Sequence, residues 1–108
     1  MDQITQIVRE EVAKYAGSGR GANIILFPLL DDEHHVYAVN AVDYPTREEV
    51  AMVIVLARVV GNRVVIEEDT TDKKLIDALL QRGIPRDQIV LAYAGEPIPD
   101  AALYELDN

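Results

Sequence analysis

A chain of 108 residues with 49% hydrophobic side chains suits one globular core and excludes a disordered polymer. Nineteen acidic against ten basic residues leave a net charge of −9, which disfavours direct nucleic-acid contact, since that affinity comes largely from neutralised phosphates. Cysteine is absent, which removes disulfides and thiolate zinc sites. No charged-then-apolar leader opens the chain and no apolar run nears the ~20 residues that span a bilayer, so the expected location is the cytoplasm, with no membrane contact.

Residues 2–16 predict an amphipathic helix. Ile4, Ile7, Val8, Val12 and Tyr15 recur at offsets of three and four, one stripe on a 3.6-residue repeat. Asp2 is placed to cap its start and Gly17 to end it. The glycine-rich run Gly17-Ser18-Gly19-Arg20-Gly21 follows a helix instead of joining a strand to one, and it lacks the Lys-Ser/Thr of a phosphate loop. It reads as a flexible linker. Residues 23–30 form a first strand, with Pro28 indicating an edge or a bulge. The turn Asp31-Asp32-Glu33-His34 leads to a second strand over 35–42. His34 and His35 are neighbours, so on a strand they point to opposite faces and cannot share a metal ion. They belong to a polar hairpin tip.

The turn Tyr44-Pro45-Thr46-Arg47 introduces the most apolar stretch, residues 49–68. From Val50 to Ala57 nearly every side chain is apolar on both parities, the pattern of a strand covered on both faces. Gly61-Asn62 makes a hairpin turn and residues 63–68 run back. Glu67-Glu68-Asp69 is an acidic cluster that could bind a divalent metal or serve acid–base catalysis. The same segment also has the composition of a helix entrance, with Thr71 as cap and Asp72 at the positive end of the helix dipole. The helix is expected over 72–82, with Leu75, Ile76, Leu79 and Leu80 on its apolar side and Gly83-Ile84-Pro85 as its stop. A fifth strand covers 88–93. From Ala94 onward the prolines interrupt regular structure, although residues 101–106 could form a short turn or helix.

The fold expected is α+β: an N-terminal helix, a four-stranded antiparallel meander, a second helix and a fifth short strand. It forms one domain over 1–108, with 94–108 an irregular tail. Residue by residue, no nucleophile, base or anion cradle converges, and no cofactor is expected.

The second half resembles a known family. Gly61-Asn62-Arg63-Val64-Val65-Ile66, then Asp69-Thr70-Thr71, then the run from Leu79 to Tyr93, are similar to the XisI family, the fdxN-element excision controlling factors found mostly in cyanobacteria. The most specific part is Gly83 to Leu91, where Gly83, Pro85, Asp87, Ile89, Val90 and Leu91 match the family's "LxxAGVPKEDIVLGF" pattern. Two departures stand out: Asp43-Tyr44 where the family often has Gly-Trp, and a tail of different sequence after Leu91.

The resemblance implies a non-enzymatic accessory protein. Such proteins act with a companion of the XisH type, itself of nuclease-like fold, in a site-specific DNA excision carried out by a separate recombinase. By position in the matching tail, the candidate partner contacts are Tyr93, Glu96, Pro97, Ile98 and Tyr104. Homo-oligomerisation is expected as well, because a single-layer sheet with helices on one side leaves its other side to be covered. The competing reading is a small metal-dependent enzyme built on Glu67, Glu68 and Asp69.

Overall fold

The computed structural model describes residues 1–19 and 21–103. Helix α1 spans Gln3–Ala13 and tightens into a 3-10 turn over Lys14–Ala16. Asp2 caps it, its carboxylate accepting the Thr5 N–H at 2.7 Å. The expected stripe faces inward: Ile7, Val8 and Val12 are buried, with Ile4 and Tyr15 packed at the margin.

Strands β1 (Ile24–Asp31), β2 (Val36–Asp43), β3 (Met52–Val60) and β4 (Arg63–Asp69) form the antiparallel meander. Helix α2 (Leu75–Gln81) then carries the chain across to β5 (Ile89–Leu91), which lies parallel to β4. A parallel neighbour demands such a crossover, whereas the antiparallel pairs need only turns. At the β3–β4 turn Gly61 has φ +62 while Asn62 stays out of the left-handed region, the pattern of a type II′ turn with glycine first. His35 takes φ +56 and belongs to the β1–β2 turn, not to β2.

Both helices pack on one face of the sheet. The core there is Tyr37 and Val39 from β2, Val55, Ala57 and Val59 from β3, and Val64 and Ile66 from β4, beneath Val8, Val12, Leu75 and Leu79. Two bulges set which residues reach it. Ile54 is an extra residue on β3 opposite the Val39–Asn40 step, and Glu67 is an extra residue on β4 opposite the Leu56–Ala57 step. Beyond each bulge the in–out alternation reverses.

Helix α2 begins later than its composition suggests, at Leu75 instead of residue 72. Lys74, not Thr71, stands at the cap position, and it is buried Asp69 that serves the helix start: its carboxylate accepts the Thr71 N–H, the Thr71 hydroxyl and, at 2.7 Å, the Leu75 N–H. Those bonds hold 70–74 in a turn. At the other end Ile84 N–H donates to Leu79 O and Gly83 N–H to Leu80 O, with Gly83 at φ +92, a Schellman stop as the residues predict.

Cover on both faces of the β3–β4 hairpin, expected from its apolar parities, is found only near Gly61. At the far end Met52 and Val53 are exposed, and Val50 lies outside the strand at 83% exposure. The Asp43 carboxylate accepts the N–H groups of Glu48 and Glu49, which draws that segment into a loop.

Candidate interaction surface

The face of the sheet away from the helices, here called the back face, follows from the strand register. Directly paired residues project to the same side. Three cross-strand rows result: Phe27–Asn40–Val53, then Leu29–Ala38–Leu56, then Asp31–Val36–Arg58–Val65–Val90. The third row is covered from Val36 to Val90, while the first two are open only in part, since Ala38 is buried and the Asn40 side-chain oxygen is enclosed. Val65 is fully buried and Val90 nearly so, whereas Phe27 is 46% exposed and Leu29 52%.

Cover on the third row comes from the tail. Arg58 sends a bidentate pair of hydrogen bonds to Asp100, at 2.6 and 2.8 Å, and its Nε donates to Glu67 at 2.6 Å. This pins residues 97–101 along the sheet, where Ile98 and Ala101 line a groove with Val36, Val60 and Glu67. The fork geometry of the guanidinium matches a carboxylate, which makes the contact directional as well as ionic. The Asp100 pKa is lowered because its carboxylate accepts from Arg58. Arg58 is held more firmly protonated, first by the Asp100 bond and then, against the opposing effect of burial, by Glu67.

The sheet edges are closed by the chain itself. On β1, Leu26 N–H donates to Gly19 O and Gly21 N–H donates to Ile24 O, so the glycine-rich run lines the strand edge instead of acting as a linker. Arg20 lies outside the described residues. Pro28, next along that edge, has no N–H to offer. On β5, Ile89 O accepts from the Arg86 guanidinium, Leu91 N–H donates to the Glu96 carboxylate at 2.8 Å, and Glu96 N–H returns to Leu91 O. The Leu91 N–H, with Arg86 adding to it, lowers the Glu96 pKa.

These contacts place the residues singled out by sequence. Tyr93 and Pro97 are exposed, Ile98 is half-buried in the groove beside Arg58, and Glu96 is occupied as an edge cap. Tyr104 lies outside the described residues. Tyr93 keeps its proton to higher pH than usual, through burial first and then the nearby carboxylates of Asp69 and Asp77. The acidic cluster does not converge. Glu67 points to Arg58, Asp69 is buried under α2, and Glu68 is exposed on the back-face side of β4. Among the described residues no three histidine or carboxylate side chains gather as a metal site.

At the β1–β2 tip, Asp31 accepts from the backbone of Glu33 and His34 and meets the His34 ring at 2.8 Å. Asp32 takes Arg9 and the Tyr37 hydroxyl, and burial followed by that carboxylate pushes the Tyr37 phenol up to about 12. The histidines are structural there. Arg58 and Asp100 are the residues that sequence reading missed. A lone arginine in an otherwise apolar strand and an aspartate 42 positions later were the available signal.

The outer surface of the helices is tied down by charge. Arg82 bridges Glu10 and Glu11 of α1, and Tyr15 donates to Lys73 O beside them. Among the described residues no helix is long and apolar enough to cross a membrane.

Comparison with known proteins agrees with this architecture. A family model described as XisI protein matches residues 1–100. A crystal structure of a XisI-like protein from Anabaena variabilis superposes with a TM-score of 0.70 at 20% identity, covering 94% of this chain and 91% of that one. The fdxN element excision controlling factor XisI from the same organism gives a TM-score of 0.71 at 21% identity, with 85% and 87% covered. The search of curated proteins returns no match.

Proposed function

The chain belongs to the XisI family, and from that premise we propose that it is a non-enzymatic controlling factor of DNA-element excision. It acts by binding a companion protein of the XisH type. The observation that carries this reading is the family match across residues 1–100, joined to a relative titled as an excision controlling factor. The acidity of the chain supports leaving DNA contact to the companion, since −9 of net charge opposes approach to phosphates. The protein works in the cytoplasm as a single domain over 1–108, and self-association into a homo-oligomer is part of the same proposal. Tyr93, Pro97, Ile98 and Tyr104 contribute contacts from the tail, with Glu96 holding the turn between Tyr93 and Pro97.

The metal-enzyme alternative has less support, because two of its three carboxylates are already engaged by Arg58 and by the start of α2. The test of the main reading is co-expression with an XisH-like protein, followed by co-purification and sedimentation. A stable complex at micromolar concentration is expected. Two proteins that pass through the column separately at that concentration end the proposal.

A further inference from the structure

Resting on the reading that this chain works by binding a protein, we infer that the open half of the back face is the docking surface. Its centre is Phe27, Leu29, Val53 and Leu56, and its occupant is a partner with an apolar centre flanked by lysine and arginine.

The location follows by elimination among features already described. Strand addition at β1 is opposed by the Gly19 and Gly21 bonds and by Pro28, and at β5 by Arg86 and Glu96. The helix side is packed on the core, and the groove outside it between α1 and α2 is lined mostly by charged side chains of both signs, with Leu80 its one large exposed aliphatic among the described residues. The apolar face that remains is the back face, where the pinned tail covers the row through Arg58 and leaves Phe27, Leu29, Val53 and Leu56 of the next two rows partly exposed. Phe27 and Leu29 are about half-exposed on an edge strand, and Val53, at 36% exposure, is turned to this face by the bulge at Ile54. An aromatic and several aliphatic side chains at the centre of a flat patch, with charges displaced to its margin, is the composition of an interface core. The patch adjoins the groove lined by Val36 and Ile98, so it is continuous with the exposed part of the tail.

Charge selects the occupant. The margin carries Asp31 at one end of β1, exposed Glu68 on β4, and Glu48 and Glu49 in the loop before β3. Arg58 is neutralised twice over, by Glu67 and Asp100; among the described residues near this face Arg63 opens β4 beside the Gly61 turn, and Arg47 shares its loop with the two acids Glu48 and Glu49. A second copy laid face to face would bring acidic margins together within roughly a Debye length of 8 Å, so the homo-oligomer of the proposed function would use another surface, such as the groove between α1 and α2 with Leu80. A partner with a basic margin gains from the same charges.

The test uses the full-length chain and the XisH-like companion, with affinity measured by calorimetry at low and high salt. Leu29→Ser and Phe27→Ser, each checked for an unchanged unfolding transition, should weaken the complex at least about tenfold. Glu68→Lys, a surface change that leaves the core alone, should weaken it further at low salt and flatten its salt dependence. Wild-type affinity in folded Leu29→Ser and Phe27→Ser overturns this location while leaving the function standing. A dimer of the chain alone that these variants dissociate gives the face to a second copy and overturns the choice of occupant. Failure of the wild-type pair to associate removes both the proposed function and this inference.

Discussion

The two faces of the sheet are apolar for different reasons, and β3 shows both. Val55, Ala57 and Val59 project toward the helices and are at most 7% exposed, while Val53, Leu56 and Val60 project the other way and are covered only in part. The helix side is finished by the chain itself. The opposite side is finished near Gly61, where the tail lies on it, and bare toward Met52. An uninterrupted apolar strand is therefore not proof of burial on both sides; here one parity builds the core and the other an adhesive surface.

Mutations can break that contrast. Ile66→Ala, in the fully buried layer beneath the helices, should lower stability by about 2–5 kcal/mol, measured by urea unfolding. A loss below 1 kcal/mol would mean that the helix side is not the dominant core. Arg58→Leu should cost about 1–3 kcal/mol, between the values for exposed and buried ion pairs, because it strands two carboxylates and releases the tail. Limited proteolysis should then cut near residues 97–101 faster than in the wild type; an unchanged cutting rate would show that Arg58 does not hold the tail.

Gly83→Ala should cost about 1 kcal/mol through the φ penalty alone, since a Cβ there meets nothing within 4 Å. Phe27→Ser should cost no more than about 1 kcal/mol, as befits a side chain only about half withdrawn from water. A large loss at Phe27 would erase the difference between the faces.

Acid sharpens the comparison further. The carboxyls of Asp2, Glu96 and Asp100 all have lowered pKa values, from the Thr5 N–H, the Leu91 N–H and the Arg58 guanidinium respectively. Their native values lie below their unfolded ones, so their stabilisation is complete above the unfolded range of about 3.9 to 4.3 and is lost as pH falls through the native values. Unfolding midpoints should therefore drop below about pH 4, and Asp100→Asn should flatten that drop. An equal acid slope in the variant would detach Asp100 from the effect.

The order of elements was legible because each leaves a local mark: the stripe from Ile4 to Tyr15, the glycine at 61, the stop at Gly83-Ile84-Pro85. The family resemblance, carried by Gly83 to Leu91, was legible for the same reason. What could not be read was long-range. Nothing near Asp100 announces a partner 42 residues earlier, and nothing in Glu67-Glu68-Asp69 says which of three acids turns inward. The proposed contacts in the tail follow from position in the chain, and position does not reveal that the Glu96 carboxylate already holds Leu91.

The bulge at Glu67 decides which acid turns inward, and it makes the hairpin intolerant of a particular kind of change. Regular pairing through that point, with Glu67 opposite Leu56 and Glu68 opposite Val55, would bring Glu68 under α2 in a space fitted to the shorter Asp69. Regular pairing through Ile54 would likewise swing Val53 inward and take it from the outer surface. In this hairpin, residue count is written out as side-chain direction, so a one-codon insertion or deletion that slips the register past either bulge would do more harm than most replacements, whereas loss of Glu67 or Ile54 itself would leave the neighbouring side chains facing as they do.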